Sequence, residues 1–407
     1  MLKTDYLILG GGIAGVTAAE TIRRQDKKTK IILVSAEPHL LYSRVLLPNF
    51  LKKKLPREKL FLRSAKDFSE KNIEIISAAA AEIIPDKKEI RLRDNSFISY
   101  QKLLIASGGY PTPWGEKKFA DKIFRLQTLD DADHLREKLD FIKKPVVIGG
   151  SFIVLEFLEI FIANNISPTL LLREKHFFHR QIDASGADIL EENFRQYGVE
   201  IIKEDEVEKM ETANEDRLKI TTKNKKKLNT DAFCAGIGLE RFLDFTGPRI
   251  AKGERGVKTN EFLETSQKDI WAAGDIAEFY DIISEKHILA GNWTNAFLQG
   301  QRAGLNMTGD RKEFRSVPTY SLTNLGVQIT ALGRTGDFKS AIIRSRPADK
   351  IHACVFTEKD TIIGATLLNS FQDKPVLSEL IEKKINIKPY REKMANPDFD
   401  IKSIPIV

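Results

Sequence analysis

The N-terminal part of the chain alternates short apolar runs with amphipathic stretches. Apolar runs at 5–9 and 30–35 predict strands, and the stretch 13–25 between them predicts a helix. Further predicted strands near 73–77 and 88–93 lead to another apolar run at 102–106. Strands that alternate with helices indicate a mostly parallel sheet with helices on its faces.

The same alternation begins again near residue 116. Thr128, with acids directly after it, marks a helix start. The predicted elements are a helix at 131–141, a strand at 145–149, a helix at 152–164, a strand at 168–172, a helix at 183–196 and a returning strand at 231–236. This part of the chain therefore repeats the first unit.

After about residue 316 the pattern becomes mainly that of strands. The runs 340–344, 351–356 and 361–366 predict three strands with polar turns between them, and residues 376–383 predict a closing helix. These elements indicate a small C-terminal α+β module.

Composition describes an ordinary globular chain of two or three domains, with 407 residues, 42% hydrophobic and 30% charged. The most apolar helix candidate, 152–166, is interrupted by Glu156 and Glu159, so no membrane span is expected. The first strand begins within a few residues of the start and leaves no room for a signal peptide. We therefore expect a cytoplasmic protein.

The net charge of +7 comes from lysines spread along the chain. The densest run, 223–227, predicts a solvated hairpin turn. No aromatic residues are interleaved with the basic ones and no nucleic-acid motif is present, so we expect no nucleic-acid binding. A positive surface would suit a small acidic protein partner.

Two cysteines, Cys234 and Cys354, exclude a disulfide framework and an iron–sulfur cluster held by this chain alone. Both lie in apolar strand patterns, so we expect them to be catalytically idle. His176 and His179 stand three residues apart without the partners that a metal site needs. No metal is expected.

The first strand runs into the loop Gly10-Gly11-Gly12-Ile13-Ala14-Gly15, and the next strand ends near Glu37. In this G-x-G-x-x-G pattern Gly10 makes the tight turn, Gly12 lets the backbone approach a pyrophosphate, and Gly15 lets the helix pack on the strand. The helix N-terminus attracts phosphate, and Glu37 can accept hydrogen bonds from a ribose. The pattern predicts a bound dinucleotide.

Three later segments extend this pattern. A second strand runs into Gly149-Gly150-Ser151, and the segments Ala106-Ser107-Gly108 and Ala273-Gly274-Asp275 follow strands of their own. In this order the motifs resemble those of the two-dinucleotide-domain flavoprotein reductases, the pyridine nucleotide–disulfide oxidoreductase superfamily. The resemblance covers roughly residues 4–310.

The resemblance implies two Rossmann-like domains and bound FAD. The FAD domain would be discontinuous, at 1–115 and 245–316, with an NAD(P)-binding-like domain at 116–244. The third domain, 317–407, resembles that of rubredoxin reductases and of assimilatory nitrite reductase flavin modules. The residues that the resemblance places at FAD are Gly10, Gly12, Ile13, Ala14, Gly15, Glu37, Arg44, Ala106, Ser107, Gly108, Gly274, Asp275 and Trp293. The resemblance further implies that Asp275 lies at a helix start. It also implies that a helix beginning at Trp293 points its N-terminus at the flavin.

The segment where disulfide reductases of this superfamily carry a cysteine, here 37–48, contains none, so a thiolate at the flavin is excluded. What remains resembles the branch in which FAD takes a hydride from NAD(P)H and passes single electrons to rubredoxin or ferredoxin.

That branch often pairs a lysine with a helix glutamate beside the flavin. The glutamate is kept as Glu156, but Asn49 stands at the lysine position. Glu156 and Trp293 are the candidate catalytic residues.

The second glycine loop departs from the family pattern. Gly149 and Gly150 are kept, but Ser151 and Val154 replace the second and third glycines. The strand end reads Leu172-Arg173, with no acid for an NADH ribose; Arg173 suits the 2′-phosphate of NADPH. NADH, NADPH and a degenerate site all stay open. The alternatives to a carrier reductase are a cysteine-independent flavin oxidase and a flavoprotein subunit of a redox complex. A homodimer is left open.

Overall fold

A computed structural model describes residues 1–115, 117–214, 217–336 and 338–406. The chain forms two compact units: one of Met1–Val45, Arg57–Tyr110 and Leu239–Pro318, the other of Leu46–Pro56, Pro111–Gly238 and Thr319–Val407. The expected three-domain division stays a prediction, and two of its limits, residues 116 and 407, lie outside the described residues.

The strands of the described chain are short, and most follow the apolar runs of the sequence. They are β1 (Leu2–Leu9), β2 (Ile31–Ser35), β3 (Ile73–Ser77), β4 (Ala80–Ile84), β5 (Glu89–Leu92), β6 (Phe97–Ile105), β7 (Tyr110–Pro111), β8 (Ile123–Phe124), β9 (Pro145–Ile148), β10 (Thr169–Leu171), β11 (Glu200–Ile202), β12 (Val207–Asn214), β13 (Arg217–Thr222), β14 (Lys227–Thr230), β15 (Ala232–Ala235), β16 (Leu239–Glu240), β17 (Val257–Thr259), β18 (Ile270–Ala272), β19 (Ala277–Asp281), β20 (Lys286–Ile288), β21 (Thr319–Asn324), β22 (Val327–Gly333), β23 (Ile342–Arg346), β24 (Ile351–Glu358) and β25 (Thr361–Leu368).

The α-helices are α1 (Ile13–Gln25), α2 (Leu47–Leu51), α3 (Ala65–Glu70), α4 (Leu129–Lys138), α5 (Phe152–Ala163), α6 (Ala184–Gln196), α7 (Trp293–Met307), α8 (Lys374–Glu382) and α9 (Arg391–Met394). Across the described residues, no helix combines the length and the apolar character that a membrane crossing needs.

The first compact unit is built on a sheet of order β3-β2-β1-β6-β5-β4, with β18 also pairing with β6. The strands β3, β2, β1, β6 and β18 run parallel, whereas β4 and β5 are antiparallel additions. Because Ile8 and Leu104 on the central strands are fully buried, the core lies under α1 and α7. The carboxyl ends of the parallel strands are where the first glycine loop begins.

The second compact unit contains the parallel sheet β11-β10-β9-β15-β8, the antiparallel sheet β12-β13-β14 and the antiparallel sheet β21-β22-β25-β24-β23. Together the sheets confirm the predicted α/β class with a C-terminal α+β part. The C-terminal sheet has five strands where the sequence predicted three. The strands β21 and β22 were missed because Thr and Ser interrupt their apolar positions and weaken the pattern.

Candidate functional site

The first glycine loop is shaped by close backbone contacts. Gly10 has a φ of 123°, and a Cβ there would lie 2.1 Å from the Ala106 carbonyl oxygen. A Cβ on Gly15 would lie 2.0 Å from the Gly10 carbonyl oxygen, whereas one on Gly12 would meet no atom within 4 Å. Gly10 and Gly15 are therefore required by the fold itself. Gly12 borders open space, which is the arrangement that a pyrophosphate needs.

The turn after β6 offers a second open edge. Ala106 is buried and its N–H donates to the Leu9 carbonyl. Gly108 adopts a φ of 70°, and a Cβ there would meet no atom within 4 Å. Ala106, Ser107 and Gly108 thus follow the strand beside the first loop, as the motif order implied.

Glu37 follows β2, and its carboxylate is held by the side chains of Tyr42 and Arg44. The Tyr42 hydroxyl donates to its carboxylate at 2.7 Å, and Arg44 forms an ion pair with the other oxygen. Burial lowers the pKa of the Arg44 guanidinium, but Tyr42, Glu37 and Asp275 outweigh that effect and raise it. Arg44 is therefore a half-buried permanent cation next to two acids, not a surface arginine.

Asp275 follows Gly274, whose φ is 80°. The sequence expectation that this pair starts a helix is wrong: the residues form a turn that leads into β19. Burial raises the pKa of the Asp275 carboxyl, whereas Arg241 and Arg44 lower it. The Arg241 Nε donates to the Asp275 carbonyl at 2.5 Å. Sequence reasoning missed Arg241 because it lies in a loop outside the motifs.

Helix α7 presents buried polar atoms that other described residues leave without a hydrogen bond. Its N-cap is Asn292, which accepts from the Asn295 N–H. Gln299 accepts from the Gly274 N–H at 2.7 Å. The Asn295 Oδ1, Gln299 Nε2 and Arg302 Nη1 have no partner among the described residues. Since unpaired buried polar atoms are costly, this polar face fits a cofactor rich in hydrogen-bonding groups.

Trp293 is the first residue of α7, the helix that the family resemblance implied at this segment. It is partly buried and packs against the core that contains Leu104 and Ala296. Behind it, a Cβ on Gly300 would lie 2.2 Å from the Ala14 carbonyl oxygen. Close packing of α7 on α1 therefore fixes the position of both helix starts, and with them Ile13, Ala14 and Trp293.

The second glycine loop keeps the turn, but Ser151 stands where the first loop has Gly12. Gly149 has a φ of 108°, and a Cβ there would lie 2.5 Å from the Gly236 carbonyl oxygen. The Ser151 hydroxyl donates to the same carbonyl at 2.8 Å. Val154 is fully buried. A Cβ on Gly150 would touch only the Phe178 N and a Leu172 methyl, at 3.4 and 3.9 Å.

At the strand end beside this loop, the two residues considered for contact with the nucleotide ribose, Leu172 and Arg173, differ in exposure. Leu172 is fully buried, so a side chain at this position packs in the core. Arg173 points outward with a side chain 68% exposed and pairs with Glu174 at 2.8 Å. Its guanidinium is accessible to a phosphate, which must compete with Glu174.

Glu156 on α5 is a perturbed acid. Burial raises the pKa of its carboxyl to about 7; the charge of Lys52 opposes the rise, and that of Glu159 adds to it. Lys52 forms an ion pair with Glu159, one turn along α5, and both side chains are largely buried. In the sequence, Lys52 is not distinguishable from Lys53 and Lys54. Only the packing of the segment after α2 brings it to α5.

The two parallel βαβ sheets, each with a glycine turn between strand and helix, define a dinucleotide-binding protein. The family model described as "Pyridine nucleotide-disulphide oxidoreductase" matches residues 4–300. The chain therefore belongs to the pyridine nucleotide–disulphide oxidoreductase family. This confirms the family and the class of flavin-dependent oxidoreductase that the motif order implied.

The chain is similar over most of its length to characterised proteins. It is 28% identical to NADH-rubredoxin oxidoreductase of Clostridium acetobutylicum, over 90% of this chain and 92% of that protein. It is 26% identical to the epsilon subunit of NADH-dependent phenylglyoxylate dehydrogenase of Aromatoleum evansii, over 97% and 95%. The fold matches the crystal structure of a covalent putidaredoxin reductase–putidaredoxin complex with a TM-score of 0.90, at 23% identity over 99% of this chain and 98% of that one.

Proposed function

We propose that the protein is an FAD-dependent NAD(P)H oxidoreductase that passes electrons to a small redox carrier such as rubredoxin or ferredoxin. The observation that carries this proposal is the cysteine-free first unit: both cysteines, Cys234 and Cys354, are buried in the other unit. The family's thiol chemistry is therefore unavailable beside the first glycine loop. Similarity to NADH-rubredoxin oxidoreductase supports the carrier class.

FAD, when bound, supplies hydride acceptance and single-electron release. The chain's own residues would hold it in the first unit. The open backbone at Gly12 and Gly108 leaves room for phosphates and ribityl chain, and the positive end of α1 faces the loop. Glu37 would accept from the adenosine ribose, and Arg44 would lie at the diphosphate.

Asp275 and Arg241 complete the proposed FAD site. The Asp275 carboxylate would accept hydrogen bonds from ribityl hydroxyls, while Arg241 holds its backbone from behind. The unpaired atoms of Asn295 and Gln299 would gain partners. The start of α7 at Trp293 would place a positive helix end near developing negative charge.

In the second unit, Gly149, Gly150, Ser151 and Arg173 would bind NAD(P)H. Glu156, whose carboxyl is close to half-protonated near neutral pH, can hold or release a proton. A catalytic contribution of Glu156 and of Trp293, the three-domain division and a cytoplasmic location are part of this proposal.

The decisive test mixes the purified yellow protein anaerobically with NADH and, separately, with NADPH. The flavin band at ~450 nm should bleach. Added rubredoxin or ferredoxin should then be reduced with recovery of the band. Bleaching followed by reoxidation with oxygen, but not with either carrier, would instead support the flavin oxidase.

An Asp275→Asn variant tests the cofactor assignment. It should lose most of its FAD on gel filtration. The matched control is Asp281→Asn, since Asp281 is a buried acid of the same unit that accepts from the Ile283 and Ser284 N–H groups. Equal FAD retention by the two variants would contradict the site.

Two observations favour a second candidate, a flavoprotein subunit of a larger redox complex. The Ser151 hydroxyl donates its hydrogen bond to the Gly236 carbonyl. At Leu172, where an NADH-binding site would carry an acid, the residue is a buried leucine. One relative of near-equal length is named as a subunit of an NADH-dependent dehydrogenase. In this case neither NADH nor NADPH would bleach the flavin, while a reduced carrier protein would.

A further inference from the structure

Three metal-ligating side chains meet in the second unit, away from both glycine loops in sequence. The Asp183 Oδ1, His352 Nε2 and Cys354 Sγ lie within 4.8 Å of one another. The distances are 2.7 Å from Nε2 to Oδ1, 3.4 Å from Sγ to Oδ1 and 3.5 Å from Sγ to Nε2. A carboxylate, an imidazole and a thiol therefore converge on one point.

The fold brings these groups together from distant parts of the sequence. His352 and Cys354 stand two residues apart on β24, so their side chains point to the same face of the C-terminal sheet. Asp183 is the N-cap of α6 and accepts from the Gly186 N–H. A Cβ on Gly186 would lie 2.6 Å from the His352 Cδ2, so α6 begins directly against the imidazole.

The donor set and its spacing suit a divalent transition-metal ion. Zinc binds cysteine sulfur at about 2.3 Å and histidine nitrogen or carboxylate oxygen at about 2.0–2.2 Å, usually in a tetrahedron. Those lengths place sulfur roughly 3.6 Å from either partner ligand atom, close to the 3.4 and 3.5 Å found here. Only the imidazole–carboxylate pair must open, from the hydrogen-bonded 2.7 Å to about 3.4 Å.

The surroundings of the imidazole provide the outer contact that metal-bound histidines need. The Ser345 Oγ lies 3.0 Å from the His352 Nδ1 on the opposite side of the ring. A hydroxyl can accept a hydrogen bond, so the His352 Nδ1–H can donate to Ser345 Oγ, which leaves the Nε2 lone pair for a metal.

Thr366 supplies an independent sign that a polar group belongs here. It pairs directly with Cys354 across β24 and β25, and therefore lies on the same face of the sheet. Its buried hydroxyl has no hydrogen-bond partner among the described residues. A water molecule in the fourth position of a metal would give this hydroxyl a partner.

We propose that Asp183, His352 and Cys354 bind one divalent transition-metal cation, best suited to zinc, in a structural site that joins the start of α6 to β24. The Cys354 thiol releases its proton to solvent when the cation binds. Because His352 and Cys354 are fully buried, we expect the cation to stabilise the fold and not to meet a substrate. This inference does not depend on the flavin chemistry.

The test measures zinc in the flavin-loaded full chain after supply of zinc and dialysis against metal-free buffer. We expect about one equivalent per chain. The isosteric variant Cys354→Ser should lose it. Cys234→Ser is the matched control, because Cys234 is the other buried cysteine of the same unit; it should keep the metal. A strong chelator should lower the thermal midpoint of the wild type and of Cys234→Ser.

Cobalt substitution keeps the test valid if Cys354→Ser fails to fold. The difference spectrum between cobalt-loaded and zinc-loaded wild type cancels the flavin and should show a thiolate-to-cobalt band in the near ultraviolet. Wild type that retains no metal, metal binding without a thiolate band, or equal binding by Cys354→Ser would each overturn the site. FAD content and reduction by NAD(P)H should be unaffected in all these outcomes, so they do not bear on the proposed function.

Discussion

The two glycine loops begin with the same turn and diverge after it. Gly10 and Gly149 both adopt left-handed φ angles, and each faces the carbonyl of the residue that follows a central strand, Ala106 or Gly236. The first glycine is therefore fixed by strand-to-strand geometry in both units. It carries no information about which loop binds a ligand.

The later positions distinguish the loops. In the first, Gly15 must be small because a Cβ would collide with the Gly10 carbonyl. In the second, Val154 is buried against Gly236, the residue that follows β15: a Cβ on Gly236 would lie 2.4 Å from a Val154 methyl. The glycine that this packing needs lies after the neighbouring strand and not on the helix. The second unit has thus kept its packing without keeping the glycine pattern, which shows that the pattern and the fold are separable.

The largest expected effect comes from placing the second loop's residue in the first. Gly15→Val should destabilise the protein by roughly 4 kcal/mol, because its Cβ meets backbone that cannot move aside. Urea denaturation and FAD content measure this. Gly12→Ala is the control: its Cβ meets open space, so stability should change by less than about 0.5 kcal/mol while FAD retention falls. Normal FAD binding by Gly12→Ala would contradict the proposed pyrophosphate position.

The helices that follow the two loops, α1 and α5, differ at one equivalent position. Seven residues after the first glycine of the loop, α1 has Thr17 and α5 has the acid Glu156. The pKa of Glu156 is about 7 in the fold against 4.5 as its ordinary value. The folded state therefore binds the extra proton between these values, and stability falls as pH rises through 7. Glu156→Gln should remove this slope and gain about 3 kcal/mol above pH 7.

Denaturation curves of the wild type and Glu156→Gln across this pH range check the prediction. Parallel profiles would show that Glu156 titrates normally. Glu159→Gln should shift the slope of the wild type to lower pH, because it removes an acid and frees Lys52 to pair with Glu156.

A smaller effect is expected at Gly236, the glycine that follows β15 and packs against Val154. Gly236→Ala should cost about 2 kcal/mol through contact with Val154 and Ile153. In a double-mutant cycle, Gly236→Ala should cost less than half as much when it is made in the Val154→Ala background. Additive losses would show that the two positions do not compensate each other.

The smallest expected effect concerns nicotinamide choice. Arg173→Ala should slow flavin reduction by NADPH about tenfold more than reduction by NADH, a difference of ~1.4 kcal/mol. The modest size follows from the exposure of Arg173 and its pairing with Glu174. Lys175→Ala, at an exposed neighbouring cation, should leave the ratio unchanged. A wild-type preference for NADH would remove Arg173 from the site.

The glycine turns and most strand and helix positions were predictable because local rules fix them. The bounds of α1 were predicted to the residue, and those of α5 and β9 to within one. The helix start at Asp275 was wrong, because it was carried over from the family resemblance, whereas the apolar residues after Asp275 form strand β19. Arg241 gave no signal, since an arginine in a loop is ordinary until a buried carboxylate is found beside it.

By itself, the sequence determined the family, the α/β class and the absence of a cysteine at the first loop, since each depends on residue identity and local spacing. Tertiary structure alone decided which residues meet across long separations: Lys52 with Glu159, Arg241 with Asp275, Gly236 with Val154, and Asp183 with His352 and Cys354. The physical reason is that periodicity fixes which face of an element is buried. Which elements face each other depends on the packing of the whole core.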